Sequence, residues 1–246
     1  MSKIIVISYL LLEILIGERF GIGMFRERSI NIDLTFRCTL ECPKCMRQSI
    51  RSKGFKVPGV DISFDNLKKI AKYFKKLIFC GQISDPIFHP KFIEILKYCS
   101  DINIPVIINT AASQRPMKWY KKAFETYPKA EWLFGIDGLP EDSHKYRIHQ
   151  NGKHLFEMMK LCAKMGLTAR WEYIVFNYNE NDIETCRKMA KDNGIIFDVI
   201  YSGRWSVRDK YKPKNPNLYL NSKRDSFAIN KAGTSEFIKG LKEIQW

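Results

Sequence analysis

The sequence predicts an α/β fold: a partial (βα)6 TIM-like barrel of parallel strands with helices outside, followed by a basic C-terminal extension. Three observations lead there. Short β-rich runs alternate with helical patterns through six units in series between residues 30 and 202. Strands separated by helices must cross back over the sheet, which makes them parallel with right-handed crossovers. Six units are fewer than the eight that close a barrel, so the sheet should stay open. With 246 residues, 45% of them hydrophobic, the chain can bury a core beneath such a sheet.

The strand candidates are INIDLTF (30–36), LIFC (77–80), IPVIINT (104–110), AEWLFGID (130–137), TARWEYIVF (168–176) and IIFDVIYS (195–202). Each is short and rich in β-branched or aromatic residues. Apolar residues at i, i+3 and i+4 predict helices over 64–75, 90–100, 117–127, 152–165 and 180–193. Pro90 suits the beginning of the second of these. For the last, Asn179 or Asn181 is the expected N-cap and Gly194 the C-terminal stop.

The barrel should therefore occupy residues 28–203, flanked by an N-terminal extension over 1–27 and a C-terminal extension over 204–246. The apolar stretch IIVISYLLLEILI (4–16) carries Glu13 and lacks a small-x-small cleavage site, so an element packing on the domain is the first reading and a targeting peptide the second. A start of translation at Met24 is the third. No run of about eighteen apolar residues exists, so no membrane helix and no membrane partner are expected. The C-terminal extension holds ten Lys and Arg against four Asp and Glu. It should cover the open barrel, contact substrate or remain as a solvated tail.

The formal charge of +15 suits an anionic partner, a nucleotide-like molecule or an acidic peptide. Many lysines, as in LKKIAKYFKK, nevertheless fall on the polar faces of predicted helices, where they keep a protein soluble. The chain has seven cysteines, four of them (Cys80, Cys99, Cys162 and Cys186) scattered through apolar or helical stretches. That is not a disulfide framework, and it fits a reducing, cytoplasmic setting.

The remaining three, Cys38, Cys42 and Cys45, lie at CxxxCxxC spacing in the loop leaving the first strand. Structural zinc wants four ligands, and the nearest histidine is His89. Ferredoxin-type clusters also use four cysteines. Three thiolates at this spacing can hold three corners of a [4Fe–4S] cluster and leave the fourth iron open for chemistry.

This stretch resembles the cysteine motif of the radical S-adenosylmethionine (SAM) superfamily, and the strand–helix series resembles that superfamily's partial barrel. The nearest likeness is to the branch of molybdenum-cofactor cyclases and peptide-modifying enzymes. The resemblance implies a SAM molecule chelated by the open iron, cleaved by one electron to a 5′-deoxyadenosyl radical that abstracts hydrogen from substrate. It implies an electron donor such as flavodoxin or ferredoxin. GQISDP (81–86) resembles the family's Gly-Gly-Glu-Pro segment, which makes Gln82, Ser84 and Asp85 candidates for receiving the SAM amino group. INTAAS (108–113) resembles a Thr-Asn-Gly turn, with Asn109 and Thr110 as ribose or adenine contacts. GIDG (135–138) and YRIHQNG (146–152) resemble a further motif of that branch, assigning cofactor roles to Asp137 and Arg147. Arg170 and Glu172 share a face of the fifth strand and should face the cavity or pair with each other, Arg170 as a SAM or substrate contact.

Two positions depart from the family. Lys44 replaces the usual aromatic residue before the third cysteine, and Gly135 replaces a serine. No cysteine follows Cys186, so only one cluster is expected. The expected activity is hydrogen abstraction from an anionic substrate. The alternatives are a peptide- or protein-modifying enzyme, or a non-catalytic iron–sulfur or nucleic-acid-binding protein.

Overall fold

The computed structural model describes residues 29–206 and 208–219. The expected N-terminal extension and the chain from residue 220 onward lie outside the described residues. The described part holds one sheet of six strands: β1 (Ser29–Ile32), β2 (Lys76–Phe79), β3 (Val106–Thr110), β4 (Glu131–Gly135), β5 (Ala169–Ile174) and β6 (Ile196–Ile200). They lie side by side in chain order, every neighbouring pair parallel. This is the open sheet of a partial barrel.

The helices are α1 (Met46–Ser52), α2 (Phe64–Tyr73), α3 (Phe92–Asp101), α4 (Met117–Thr126), α5 (Gly152–Lys164) and α6 (Ile183–Asp192). Five match the periodicity of the sequence. The short α1, MRQSIRS, has no apolar stripe and was not foreseen. Helix α6 is preceded by Asp182 as N-cap residue, not Asn179 or Asn181. Asn179 is instead fully buried, its side chain bonded to the Phe176 N–H at 2.7 Å and the Ile174 carbonyl at 3.0 Å. Gly194 does follow the end of α6, at a φ of +67° that suits glycine.

Alternation along the strands sorts the two faces of the sheet. Leu77, Phe79, Val106, Ile108, Trp132, Phe134, Trp171 and Tyr173 are all buried and form one core with the helices. Trp132 meets Phe124 edge-on at 5.0 Å and Phe92 at 6.1 Å, while Trp171 meets Phe156 of α5 at 5.1 Å. The alternate residues, including Ile78, Ile107, Asn109, Leu133, Arg170, Glu172 and Ile174, are only partly covered. They line the other face, the hollow side of the open barrel.

Because Trp132 is surrounded by rings and fully buried, Trp132→Ala should destabilise the protein by about 3–5 kcal/mol. A urea unfolding curve checks this through a lower midpoint.

Candidate functional site

The loops leaving the carboxyl ends of the strands meet around the cysteines. Residues 33–45 follow β1 and carry Cys38, Cys42 and Cys45, all partly exposed. The loop is anchored at several points. Arg47, buried in α1, donates to the carbonyls of Phe36, of Ile83 at 2.9 Å and of Cys38 at 3.5 Å. Asp61 accepts from Thr35 at 2.6 Å and from Arg37. The Asp85 N–H donates to the Arg37 carbonyl at 2.9 Å, and the Glu41 N–H to that of Ile148 at 3.2 Å. Arg47 did not stand out in the sequence. An arginine two residues past the last cysteine carries no sign that it braces carbonyls from two loops.

The thiols share one electrostatic environment. Burial pushes Cys38 up to about 12, Asp85 adds to this, and Arg47 pulls the other way. Burial pushes Cys42 up to about 11, with Arg147 opposing and Asp137 and Cys45 reinforcing. The cysteines influence one another in sequence, Cys38 with Cys42 and Cys42 with Cys45. Among the described residues, no group of three or more His, Cys, Asp and Glu converges to hold a single metal ion. A cubane cluster makes a different demand, since it takes one thiolate per iron at separate corners. Three soft sulfur donors on one braced loop fit three of those corners.

The loop after β2 turns sharply. A Cβ on Gly81 would lie 1.6 Å from the Ser84 carbonyl oxygen, so only glycine permits the turn. The Gln82 carbonyl comes within 4.0 Å of the Cys45 sulfur, while the Gln82 N–H donates to Asp33 at 3.1 Å. Ser84 spends its hydroxyl on the same Asp33 oxygen at 2.6 Å. Asp85 is 4% exposed, and its carboxylate is filled from within the chain. It accepts from Thr110 at 2.9 Å, from the N–H groups of Ala111 and Ala112 at 2.8 and 2.9 Å, and from that of Ile87 at 3.3 Å. Burial raises this carboxyl above its usual range against the pull of those donors. Asp85 and Thr110 thus brace each other across the ends of β2 and β3. On the neighbouring position of β3, the buried Asn109 Oδ1 has no hydrogen-bond donor within the described residues. An acceptor so placed suits a donor from outside the chain, such as a ribose hydroxyl.

After β4, Asp137 and Arg147 form a buried pair, Nε to Oδ2 at 2.7 Å, and Asp137 also accepts the Ile174 N–H at 2.9 Å. Burial raises the Asp137 carboxyl, opposed by Arg147 and the Ile174 amide. For Arg147 burial works against the charge, but Asp137 and Cys42 outweigh it and leave the guanidinium firmly protonated. A Cβ on Gly135 would stand 2.8 Å from the Arg147 Nη2 and 2.9 Å from its Cζ. Glycine at this position therefore makes room for the Arg147 guanidinium.

Arg170 is not gathered with these groups. It lies near the amino end of β5, bonded to Asp198 at 2.7 and 2.8 Å and 3.5 Å from Glu131. It does not pair directly with Glu172, whose carboxyl on the same face is raised by burial and pulled down by Arg147 and Arg170. Lys44 reaches away from the loop interior to Asp209 and to the Arg204 carbonyl at 2.7 Å.

No protein-family model matches the chain, and no curated protein matches it in sequence. Solved structures do match. SuiB of Streptococcus suis aligns with 94% of this chain and 51% of its own, at a TM-score of 0.60 and 14% identity. The protein anSMEcpe with bound AdoMet aligns over 76% of this chain and 54% of its own, at 0.56 and 17%. Methylornithine synthase (PylB) aligns over 75% and 55%, at 0.54 and 17%. The chain has the fold of radical SAM enzymes. It spans about half the length of these structures, between 51% and 55%.

Replacing Asp85 by Ala would strand four donors at the ends of β2 and β3. The expected loss is about 2–5 kcal/mol of stability, read as a lower urea midpoint, with Asp85→Asn losing less.

Proposed function

We propose that the chain is a radical SAM enzyme in which Cys38, Cys42 and Cys45 hold a [4Fe–4S] cluster. The observation carrying this reading is the placement of the three thiols on one braced loop at the carboxyl ends of a parallel six-stranded sheet. When bound, the cluster and SAM supply one-electron cleavage of a sulfonium carbon–sulfur bond and removal of a hydrogen atom from substrate. The chain's share is to hold, orient and enclose. Arg47 fixes the loop through carbonyls of Phe36, Cys38 and Ile83. We assign SAM contacts to Gln82, whose carbonyl comes within 4.0 Å of the Cys45 sulfur, to the Arg147 guanidinium, which acts on Cys42, and to Asn109, whose amide oxygen has no donor among the described residues. Ser84, Asp85, Thr110 and Asp137 support them through Asp33, the β3 loop and Arg147. Arg170, set toward the other end of the hollow face, is assigned to shaping the lower wall through Asp198 and Glu131.

SAM is supported as ligand by structures of similar fold, SuiB bound to S-adenosylmethionine and anSMEcpe with bound AdoMet. A peptide is a reasonable substrate class. SuiB has been captured with precursor peptide SuiA, aligning at a TM-score of 0.63 over 96% of this chain, and anSMEcpe with AdoMet and a Kp18Cys peptide. An anionic small molecule is the second class, favoured by the charge of +15. We assign flavodoxin or ferredoxin as electron donor and the cytoplasm as location. No helix among the described residues is long and apolar enough to cross a membrane.

After anaerobic reconstitution with iron and sulfide, dithionite and SAM should yield 5′-deoxyadenosine from the wild type and none from Cys42→Ala. A loaded cluster that gives no product and no spectral response to SAM would overturn the reading in favour of a binding role. Because burial holds Cys38 and Cys42 protonated, up to about 12 and about 11, cluster assembly must release protons and should proceed faster as pH rises. The growth of visible absorbance at several pH values checks this.

A further inference from the structure

We propose that Lys44 and Asp209 are a positioning pair that ties the segment following β6 across the cysteine loop. Its functional weight rests on the reading of that loop as a cluster site, but its geometry stands without it. Lys44 lies between the second and third cysteines. Its ammonium meets the Asp209 carboxylate, donates to the Arg204 carbonyl at 2.7 Å, and stands 5.0 Å from the centre of the Trp205 ring. One cation on the loop thus gathers three partners from the segment. The pair is sheltered from water, with side-chain exposures of 28% for Lys44 and 6% for Asp209. The helical pair Lys97–Asp101, at 69% and 57%, shows what a solvated contact looks like in the same protein. Charges shielded in this way hold position more firmly than exposed ones.

The segment is also seated from the other side. The Asn177 N–H donates to the Tyr211 carbonyl at 3.0 Å, and the Asn177 amide to that of Lys210 at 2.6 Å. Tyr211 packs edge-on to Tyr146 at 5.1 Å, and Trp205 to Phe176 at 5.7 Å. The aromatic residues therefore dock on the loops after β4 and β5, and Lys44 joins that docked segment to the loop after β1. The pair sets Trp205 as a side wall of the cysteine loop and limits access of solvent and oxygen to it.

The test is limited proteolysis of the full chain, iron-free and reconstituted, following tryptic cleavage after Arg204, Arg208 and Lys210 by mass. Lys44→Met and Asp209→Asn should each accelerate cleavage there by roughly three- to tenfold, since cleavage follows local opening. The double variant should be no faster than the faster single, because both variants remove the same Lys44–Asp209 contact. An unchanged rate in either single variant, or effects that multiply in the double, would overturn the proposal. Accelerated cleavage in a wild-type-like protein that binds no iron would uphold the pair while removing the cluster reading. In reconstituted protein the same variants should lose visible absorbance in air faster than the wild type. Equal loss would overturn the shielding role.

Discussion

A buried carboxylate ties together the three loops that begin the candidate site. Asp85 leaves the β2 loop, its N–H engages the Arg37 carbonyl of the cysteine loop, and its oxygens take Thr110 and the N–H groups of Ala111 and Ala112 after β3. A charged group in this position costs several kcal/mol in desolvation unless it is well supplied with donors. Here the supply is complete, and burial and donors act against each other on one atom pair. Its bonds join the Arg37 end of the cysteine loop to the ends of β2 and β3. An acid so fully engaged is better suited to shaping a site than to receiving a ligand's amine.

The two positions that depart from the motifs the sequence resembles have local causes in the tertiary structure. Gly135 is not merely a lost hydroxyl, because the space of a side chain is taken by the Arg147 guanidinium. Lys44 is not merely a lost aromatic ring, because its ammonium holds Asp209 and faces the Trp205 ring. In both places a cation fills the space, and each cation is matched by a sheltered carboxylate.

Much of the fold was legible in sequence because each strand writes its burial on alternate residues and each long helix on every third or fourth. The parallel strand order follows from that reading. What escaped it depended on partners far away in the chain. Helix α1 has no apolar stripe to announce it, being braced by the polar Arg47. Asn179 looks like a helix cap by type, yet it is spent within the turn after β5. Arg170 does share a half-covered face with Glu172, as strand alternation implies, but position along the strand decides its partners. Near the amino end of β5 it finds Asp198 and Glu131, out of company with the cysteine loop.

The same distinction bears on the basic charge. The excess sits on the outer faces of the helices, in exposed lysines such as Lys69, Lys72, Lys118 and Lys122. The hollow face of β4, β5 and β6 has the opposite character, with Glu131, Glu172 and Asp198 around Arg170. Of these, Glu172 stands one strand from Gly135 and within the influence of Arg147. On the proposed function, a substrate entering the hollow would meet carboxylates deep inside and the Arg147 guanidinium at the cysteine end. Net charge governs solubility and approach over the outer surface. Selection inside the barrel follows from which few charges the strands turn inward, and those are a different set.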